Sequence, residues 1–286
     1  MQVEVITGPT ASGKTSLALE RAKGNPDVEI VNADAFQLYK NFDIGTAKPS
    51  KTIREQIPHH LIDILEPDER FSAADYSRVG RDVIRSIIAR SKIPIVVGGT
   101  GFYIDALFSG LSSIEVDDEL LVSAREKYSR EFEALGFDVM LSKLSEIDSV
   151  LFEQVSRERN PIRLERAFIH YHSTGIPLGV ARQERPEPFE HEAKYTILTV
   201  EREELLRQIE LRVDEMLAAG WIEEVRALLD SGVTTDMPAM RAIGYSELAE
   251  VILGAMTLEE AREKIIIGTR QYAKRQTTWM KRYQKM

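Results

Sequence analysis

Apolar positions along the 286-residue chain follow two regimes. Up to Val97, short β-branched and aliphatic runs alternate with helical periods: Val3-Glu4-Val5-Ile6, Val28-Glu29-Ile30-Val31-Asn32, His59-His60-Leu61-Ile62-Asp63-Ile64 and Ile93-Pro94-Ile95-Val96-Val97 predict strands. Ser16 to Arg21 reads as a helix after the first of them. Ser72 and Asp75 have capping-box spacing, with Phe71 and Tyr76 placed as a hydrophobic staple, and open a helix whose inner face carries Tyr76, Val79, Val83 and Ile87. From about Ile114 to Ala193 the strand pattern stops. Leu121, Ala124, Tyr128, Phe132 and Leu135, then Ile147, Val150, Leu151 and Val155, recur at helical spacing, and Asn160-Pro161 with Gly175 starts and stops another helix. Lys194 to Val200 resumes the strand pattern. A helix striped by Leu205, Ile209, Val213 and Met216 follows, and Thr257 with Glu260 caps a long last helix. The pattern predicts an α/β fold whose parallel sheet is flanked by helices, split into 1–113, an all-helical insertion 114–193, and a completing segment 194–286. Pro186-Glu187-Pro188 is the nearest thing to a linker.

Candidate chemistry begins between the first strand and its helix. Gly8-Pro9-Thr10-Ala11-Ser12-Gly13-Lys14-Thr15 has the spacing of a loop that wraps backbone N–H groups around phosphate oxygens. It sets Lys14 against their charge and leaves the Thr15 hydroxyl to ligate magnesium. Asp34 lies just past the second strand, so in a parallel sheet it opens into the same crevice. Asp34 to Lys40 and Asp43-Ile44-Gly45-Thr46-Ala47-Lys48-Pro49 follow neither period and read as a binding loop. Gly98-Gly99-Thr100-Gly101, after the fourth strand, is expected to let backbone approach a ligand. His59 and His60 point to opposite faces of a strand, which disfavours a shared metal.

Two basic features have open readings at this level. Arg212 projects nearly with the apolar stripe of its helix and needs an anion, supplied by a carboxylate or by a ligand phosphate. Arg163, Arg166 and His170 form one stripe, which is a solvated face with ion pairs or part of an RNA surface.

Composition narrows the classes. The chain has no cysteine, which removes disulfides, thiolate zinc and a cysteine nucleophile. No apolar run approaches a membrane span and no signal peptide opens the chain, so a cytoplasmic, soluble protein is expected. A formal net charge of −9 argues against indiscriminate nucleic-acid binding. From Gly268 to Met286, however, there is no acidic residue, and Arg270, Lys274, Arg275, Lys281, Arg282 and Lys285 make a local basic surface. Helical spacing aligns Arg270, Lys274, Lys281 and Lys285, with Ile265, Tyr272, Trp279 and Tyr283 available for packing.

Taken together, Gly8 to Thr15, Asp34 with Gln37 and Tyr39, the Asp43 to Pro49 string, and Gly98 to Tyr103 resemble the tRNA dimethylallyltransferases, also called tRNA isopentenyltransferases. Arg163, Arg166-Ala167, Ile243-Gly244-Tyr245, and Thr269 to Gln276 with Trp279 extend the likeness nearly end to end. The resemblance implies a P-loop NTPase-like fold that hydrolyses no ATP. It implies transfer of a dimethylallyl group from dimethylallyl diphosphate to the exocyclic amine of the adenosine 3′ of the anticodon, using Mg²⁺; a monomer is expected. The loop Gly8, Pro9, Thr10, Ala11, Ser12, Gly13, Lys14, Thr15 would hold the diphosphate, with Arg212 completing the clamp. Asp34 would be the base and Thr100 would touch the tRNA near its target, while Gln37 would read the adenine edge. By the same resemblance tRNA contacts fall on Asp34, Ala35, Phe36, Gln37 and Thr100; on Ile162, Arg163, Leu164, Glu165 and Arg166; on Arg241, Gly244 and Tyr245; and on Arg270, Lys274, Arg275 and Lys281 of the last helix. Ala35 departs from the Ser found after the Asp in many members, and the chain stops shortly after Trp279 to Tyr283, where relatives often continue. Three other readings compete: prenylation of free adenine nucleotides, phosphoryl transfer by a small-molecule kinase, and RNA binding without catalysis.

Overall fold

A computed structural model of the chain describes residues 2–110, 118–183 and 187–285. Five strands, β1 (Gln2–Thr7), β2 (Val28–Asn32), β3 (His59–His60), β4 (Ile93–Val97) and β5 (Glu192–Ile197), form one sheet in the order β3-β2-β4-β1-β5. Every neighbouring pair is parallel, as the alternation of strand and helix patterns requires. The helices are α1 (Lys14–Lys23), α2 (Lys51–Gln56), α3 (Ala73–Ala89), α4 (Gly101–Ser109), α5 (Asp118–Ile147), α6 (Ser149–Glu158), α7 (Pro161–Thr174), α8 (Leu178–Ala181), α9 (Arg202–Ala218), α10 (Trp221–Asp230), α11 (Tyr245–Ile252) and α12 (Leu258–Met280). No helix among the described residues is long and apolar enough to cross a membrane.

The chain divides into two compact units, Met1–Ser109 with Pro188–Met286, and Gly110–Glu187. The boundary read between 113 and 114, and Pro186, lie outside the described residues. Residues 188–193, grouped with the insertion by sequence, belong with the sheet: Phe189 N donates to Phe108 O at 2.8 Å, and Glu190 forms an ion pair with Arg85.

In the sheet unit, Ile6, Val28, Ile30, Ile95 and Val97 pack with Ala18 and Ala22 of α1. β1, β2 and β4 sit inside the sheet and read as nearly continuous apolar runs for that reason. β3 is shorter than the pattern from His59 to Ile64 predicts, because Leu61 and Asp63 take positive φ (59° and 57°) and turn the chain out of the sheet. Its two histidines do face apart: His60 Nε2 contacts Glu29 Oε2 at 2.6 Å, whereas His59 lines a cavity. The predicted capping box of α3 is present, Ser72 accepting from Asp75 N and Asp75 accepting from Ser72 N. The buried face of α3 runs through Tyr76, Gly80, Ile84 and Ile87; Val79 and Val83 sit at its margin.

The helical unit has its own core of Tyr128, Met140, Leu141, Leu144, Leu151, Val155, Leu164, Ala167 and Phe168. Gly136, at φ 72° and ψ 174°, breaks α5 and ends the apolar phase that sequence carries to Leu135, which is exposed. Val150 is also exposed, being rotated about 100° from inward-facing Leu151. Asn160 caps α7 by accepting from Ile162 N and Arg163 N, Pro161 occupies the first turn, and Gly175 closes the helix in the left-handed conformation.

Candidate active site

Two N–H groups of the phosphate loop are engaged, Thr10 N by Gln276 Oε1 at 2.7 Å and Ser12 N by Pro9 O at 3.3 Å, which leaves the donors at the start of α1 for a ligand. Gly13 caps α1 at φ 85° and has no side chain to satisfy the first-turn N–H groups. The Ser12 hydroxyl is buried without a partner. Lys14 Nζ donates to Pro9 O at 2.7 Å; burial first, then the Arg212 charge, pull its pKa down to about 8, and Asp34 opposes them. Open N–H groups, an orphaned hydroxyl and a desolvated ammonium make a set that fits a multiply charged oxyanion. Thr15 lines the same cavity, and its hydroxyl is the group that could ligate a cation accompanying such an anion.

Across the crevice, Asp34 is held by an interlocked turn at the end of β2. Its N–H donates to Asn32 Oδ1 at 3.0 Å, its carbonyl accepts from Asn32 Nδ2, and its Oδ1 accepts from Phe36 N at 3.0 Å. Asn32 itself is fixed by donating to Leu61 O at 2.8 Å. The second carboxylate oxygen has no hydrogen-bond partner among the described residues and is free to accept a proton. Thr100 Oγ1 accepts from Ala35 N at 3.1 Å, which supports the segment that carries Asp34. Gln37 donates to Thr46 O at 3.0 Å, so its amide nitrogen is committed to the Asp43 to Pro49 loop and its oxygen is the group left for a ligand.

Arg212 projects from α9 beside Ile209, Val213 and Met216, as the helical spacing predicts. No carboxylate lies within ion-pair distance of its guanidinium among the described residues. Burial lowers its pKa, and the more distant charges of Asp34 and Glu215 oppose that shift. Arg212 thus lines the same cavity as the phosphate loop without an ion-pair partner among the described residues, its charge offset only by Asp34 and Glu215 at longer range. Loop, Asp34 and Arg212 wall a single cavity of about 450 Å³, together with Phe36, Gln37, Thr46, Tyr272 and Arg275. Ile30, Ile62, Val97 and Ile265 give it an apolar side.

The second glycine turn has a different use from the one its composition suggests. A Cβ on Gly99 would overlap the Gln276 amide, and one on Gly101 would overlap the Trp279 ring. The missing side chains make room for α12 to dock, rather than for a ligand; only Gly98 of the turn lines the cavity. Asp105 completes the joint by accepting from Trp279 Nε1 at 3.1 Å and from the Tyr283 hydroxyl at 2.6 Å.

Several expected RNA contacts are not available as surface. Leu164 and Tyr245 are each 0% exposed: Leu164 belongs to the helical core, and the Tyr245 hydroxyl donates to Glu224 Oε1 at 2.6 Å. Gly244 packs on the Trp221 ring. Arg270 is paired with Glu210, which removes it from the predicted free stripe. That stripe also ends early, since α12 stops at Met280 and Lys281 is its C-cap. Ile162, Arg166, Arg241, Lys274, Arg275 and Lys281 are exposed, and Arg163 forms an ion pair with Glu158 at 2.6 Å.

The supports of the signature loop are absent from the sequence reading. Lys48, with its side chain 1% exposed, bridges Asp43 at 3.0 Å and Asp63, which Arg54 also contacts at 2.6 Å. Glu224, on α10, accepts from Asp43 N at 3.0 Å and Ile44 N at 2.7 Å. Lys48 pairs within its own loop and with Asp63, but Glu224 lies some 180 positions away, and a charged residue carries no local sign of what it will meet.

A parallel sheet flanked by helices, with a glycine loop between β1 and α1, defines a P-loop NTPase-like α/β protein. Comparison with known proteins is specific. The family model described as IPP transferase matches residues 37–283. A tRNA dimethylallyltransferase of Pelobacter propionicus is 44% identical over 280 residues, covering 97% of this chain and 89% of that protein. One from Geobacillus kaustophilus is 42% identical over 281 residues, covering 98% and 87%. Among solved structures, the tRNA delta(2)-isopentenylpyrophosphate transferase of Staphylococcus epidermidis aligns with a TM-score of 0.67 at 35% identity, over 98% of this chain and 90% of that one. A eukaryotic dimethylallyltransferase acting on tRNA aligns with a TM-score of 0.78 at 27% identity, over 98% and 69%. The chain belongs to the IPP transferase family.

Proposed function

We propose that this protein transfers a dimethylallyl group from dimethylallyl diphosphate to the N6 amine of an adenosine in tRNA, at the position 3′ of the anticodon. The observation that carries the reading is one cavity in which an open phosphate cradle and an unpaired arginine face a carboxylate with a free oxygen. Adenine's amine is a weak nucleophile because its lone pair is delocalised into the ring. As the N6–C1 bond forms, Asp34 takes the amine proton and the C1–O bond to diphosphate breaks. The leaving diphosphate stays on the loop, its growing charge met by Lys14, the open N–H groups and Arg212. Thr15 would hold Mg²⁺, which when bound further neutralises that charge. The target base must leave its stack to enter the crevice. Exposed Arg241, Lys274, Arg275 and Lys281 on the sheet unit, and Arg166 on the helical unit, supply cations for the anticodon stem-loop. A tRNA substrate supports a cytoplasmic enzyme.

Mass spectrometry of tRNA nucleosides after incubation with dimethylallyl diphosphate and magnesium tests the reading. One adenosine is expected to gain a C5H8 unit. Transfer to AMP with none to tRNA would reject it.

The Lys14 ammonium gives a pH dependence. With a pKa of about 8, it is charged below that value and neutral above it. In the free enzyme kcat/KM for the donor is expected to hold from pH 6 to 7.5 and then fall by about tenfold per unit above pH 8. Stability has the opposite sign. The folded-state pKa lies below the ordinary 10.5, so the unfolded chain binds more protons between about 8 and 10.5, and folding gains from this group as pH rises through that window. A donor kcat/KM that stays flat to pH 9.5 would remove Lys14 from the grip.

A further inference from the structure

Gln276 lies on α12 and is 4% exposed. Its Oε1 accepts from Thr10 N at 2.7 Å, and its Nε2 donates to Gly99 O at 3.0 Å. One amide therefore ties the phosphate loop to the second strand-to-helix turn, using its donor and its acceptor at once. The Thr10 contact is unusual for its place. N–H groups of a phosphate loop ordinarily point at the anion, yet this one is already engaged by a side chain 266 positions away. The glycine at 99 exists to let that side chain in, since any Cβ there would overlap it. Tyr272, one turn earlier on the same face, and Arg275 beside it both line the cavity.

We propose that Gln276 is a positioning residue for the diphosphate grip: by holding the Thr10 amide it fixes the direction of the loop's first turn, and so aims the remaining N–H groups and the Ser12 hydroxyl inward. The inference rests on the reading of this loop as a diphosphate site. The role needs a side chain that donates and accepts. Glutamate accepts only, and methionine of similar length offers no donor and only a weakly accepting sulfur.

The test uses the full chain with Gln276→Met and Gln276→Glu. Donor KM, kcat, tRNA affinity without donor, and affinity for inorganic diphosphate with Mg²⁺ are measured. In Gln276→Met, donor KM and the diphosphate Kd are expected to rise together by about tenfold or more and kcat to fall as well, because the same N–H groups meet the charge growing on the leaving diphosphate, while tRNA Kd stays within about twofold. Gln276→Glu is expected to weaken diphosphate further, because it sets a carboxylate beside the anion, again without loss of tRNA binding. A folded Gln276→Met with unchanged diphosphate Kd overturns the proposal. So does a parallel loss of donor and tRNA affinity, or failure of both variants to fold, since each marks a purely structural residue. A wild-type protein that binds no diphosphate instead rejects the reading of the loop, which keeps the two failures apart.

Discussion

Asp34→Asn is expected to lower kcat for prenyl transfer by about 100-fold or more while leaving tRNA affinity unchanged, with only the modest loss of thermal stability that follows from removing the charge that offsets Lys14 and Arg212. The separation follows from how the carboxylate is divided. One oxygen accepts from Phe36 N and builds the turn that ends β2, and an asparagine oxygen can make that bond equally well. Asn32, which holds the Asp34 backbone from both sides, is untouched. Only the second oxygen changes, from a proton acceptor to an amide that cannot take a proton. Single-turnover rates at saturating donor and tRNA, with tRNA Kd measured alongside, check this. A rate within about threefold of wild type would mean that the amine proton leaves by another route, such as water in the cavity, and would end the assignment of Asp34 as base.

What could be seen in advance was what is local. The glycine loop carries its own chemistry in eight consecutive residues, and the buried strands announce themselves because both faces of each are covered. The capping boxes at Ser72 and Thr257 and the Asn160-Pro161 start were readable for the same reason, since each is satisfied within a few residues. Long-range pairing was not. Nothing near Glu224 says that it will collect the N–H groups of a loop 180 positions earlier, and nothing near Gln276 says that it will reach Thr10. The misreadings share this cause. Glycines at 99 and 101 look alike whether a ligand or a helix comes close, and Tyr245 looks like a surface aromatic until Glu224 is placed over its hydroxyl. Arg270 meets Glu210 from another helix, a partner that no local pattern announces, whereas Arg275 stays exposed over the Tyr272 ring.

Arg212 is the residue for which local sequence left two outcomes open, and its lack of an ion-pair partner among the described residues sets up the second large effect. A guanidinium drawn out of water without a carboxylate destabilises the fold that carries it. Such a group persists where a ligand completes the pair. Arg212→Met should therefore move function and stability in opposite directions. Loss of one charge-assisted contact to a leaving oxyanion is expected to reduce kcat/KM for the donor by about 10²–10³-fold, with the deficit in kcat as well as KM because the diphosphate charge grows toward the transition state. The melting temperature is expected to hold or rise, by about 2–4 °C for each kcal/mol recovered in a chain of this size. Inorganic diphosphate separates the cases further: it should raise the melting temperature of the wild type and do so much less in Arg212→Met, because only the wild type gains a partner for the buried cation. If Arg212→Met melts several degrees lower and retains its donor kcat/KM, the cation is serving Asp34 and Glu215 within the fold, and the diphosphate would have to be held by the loop alone.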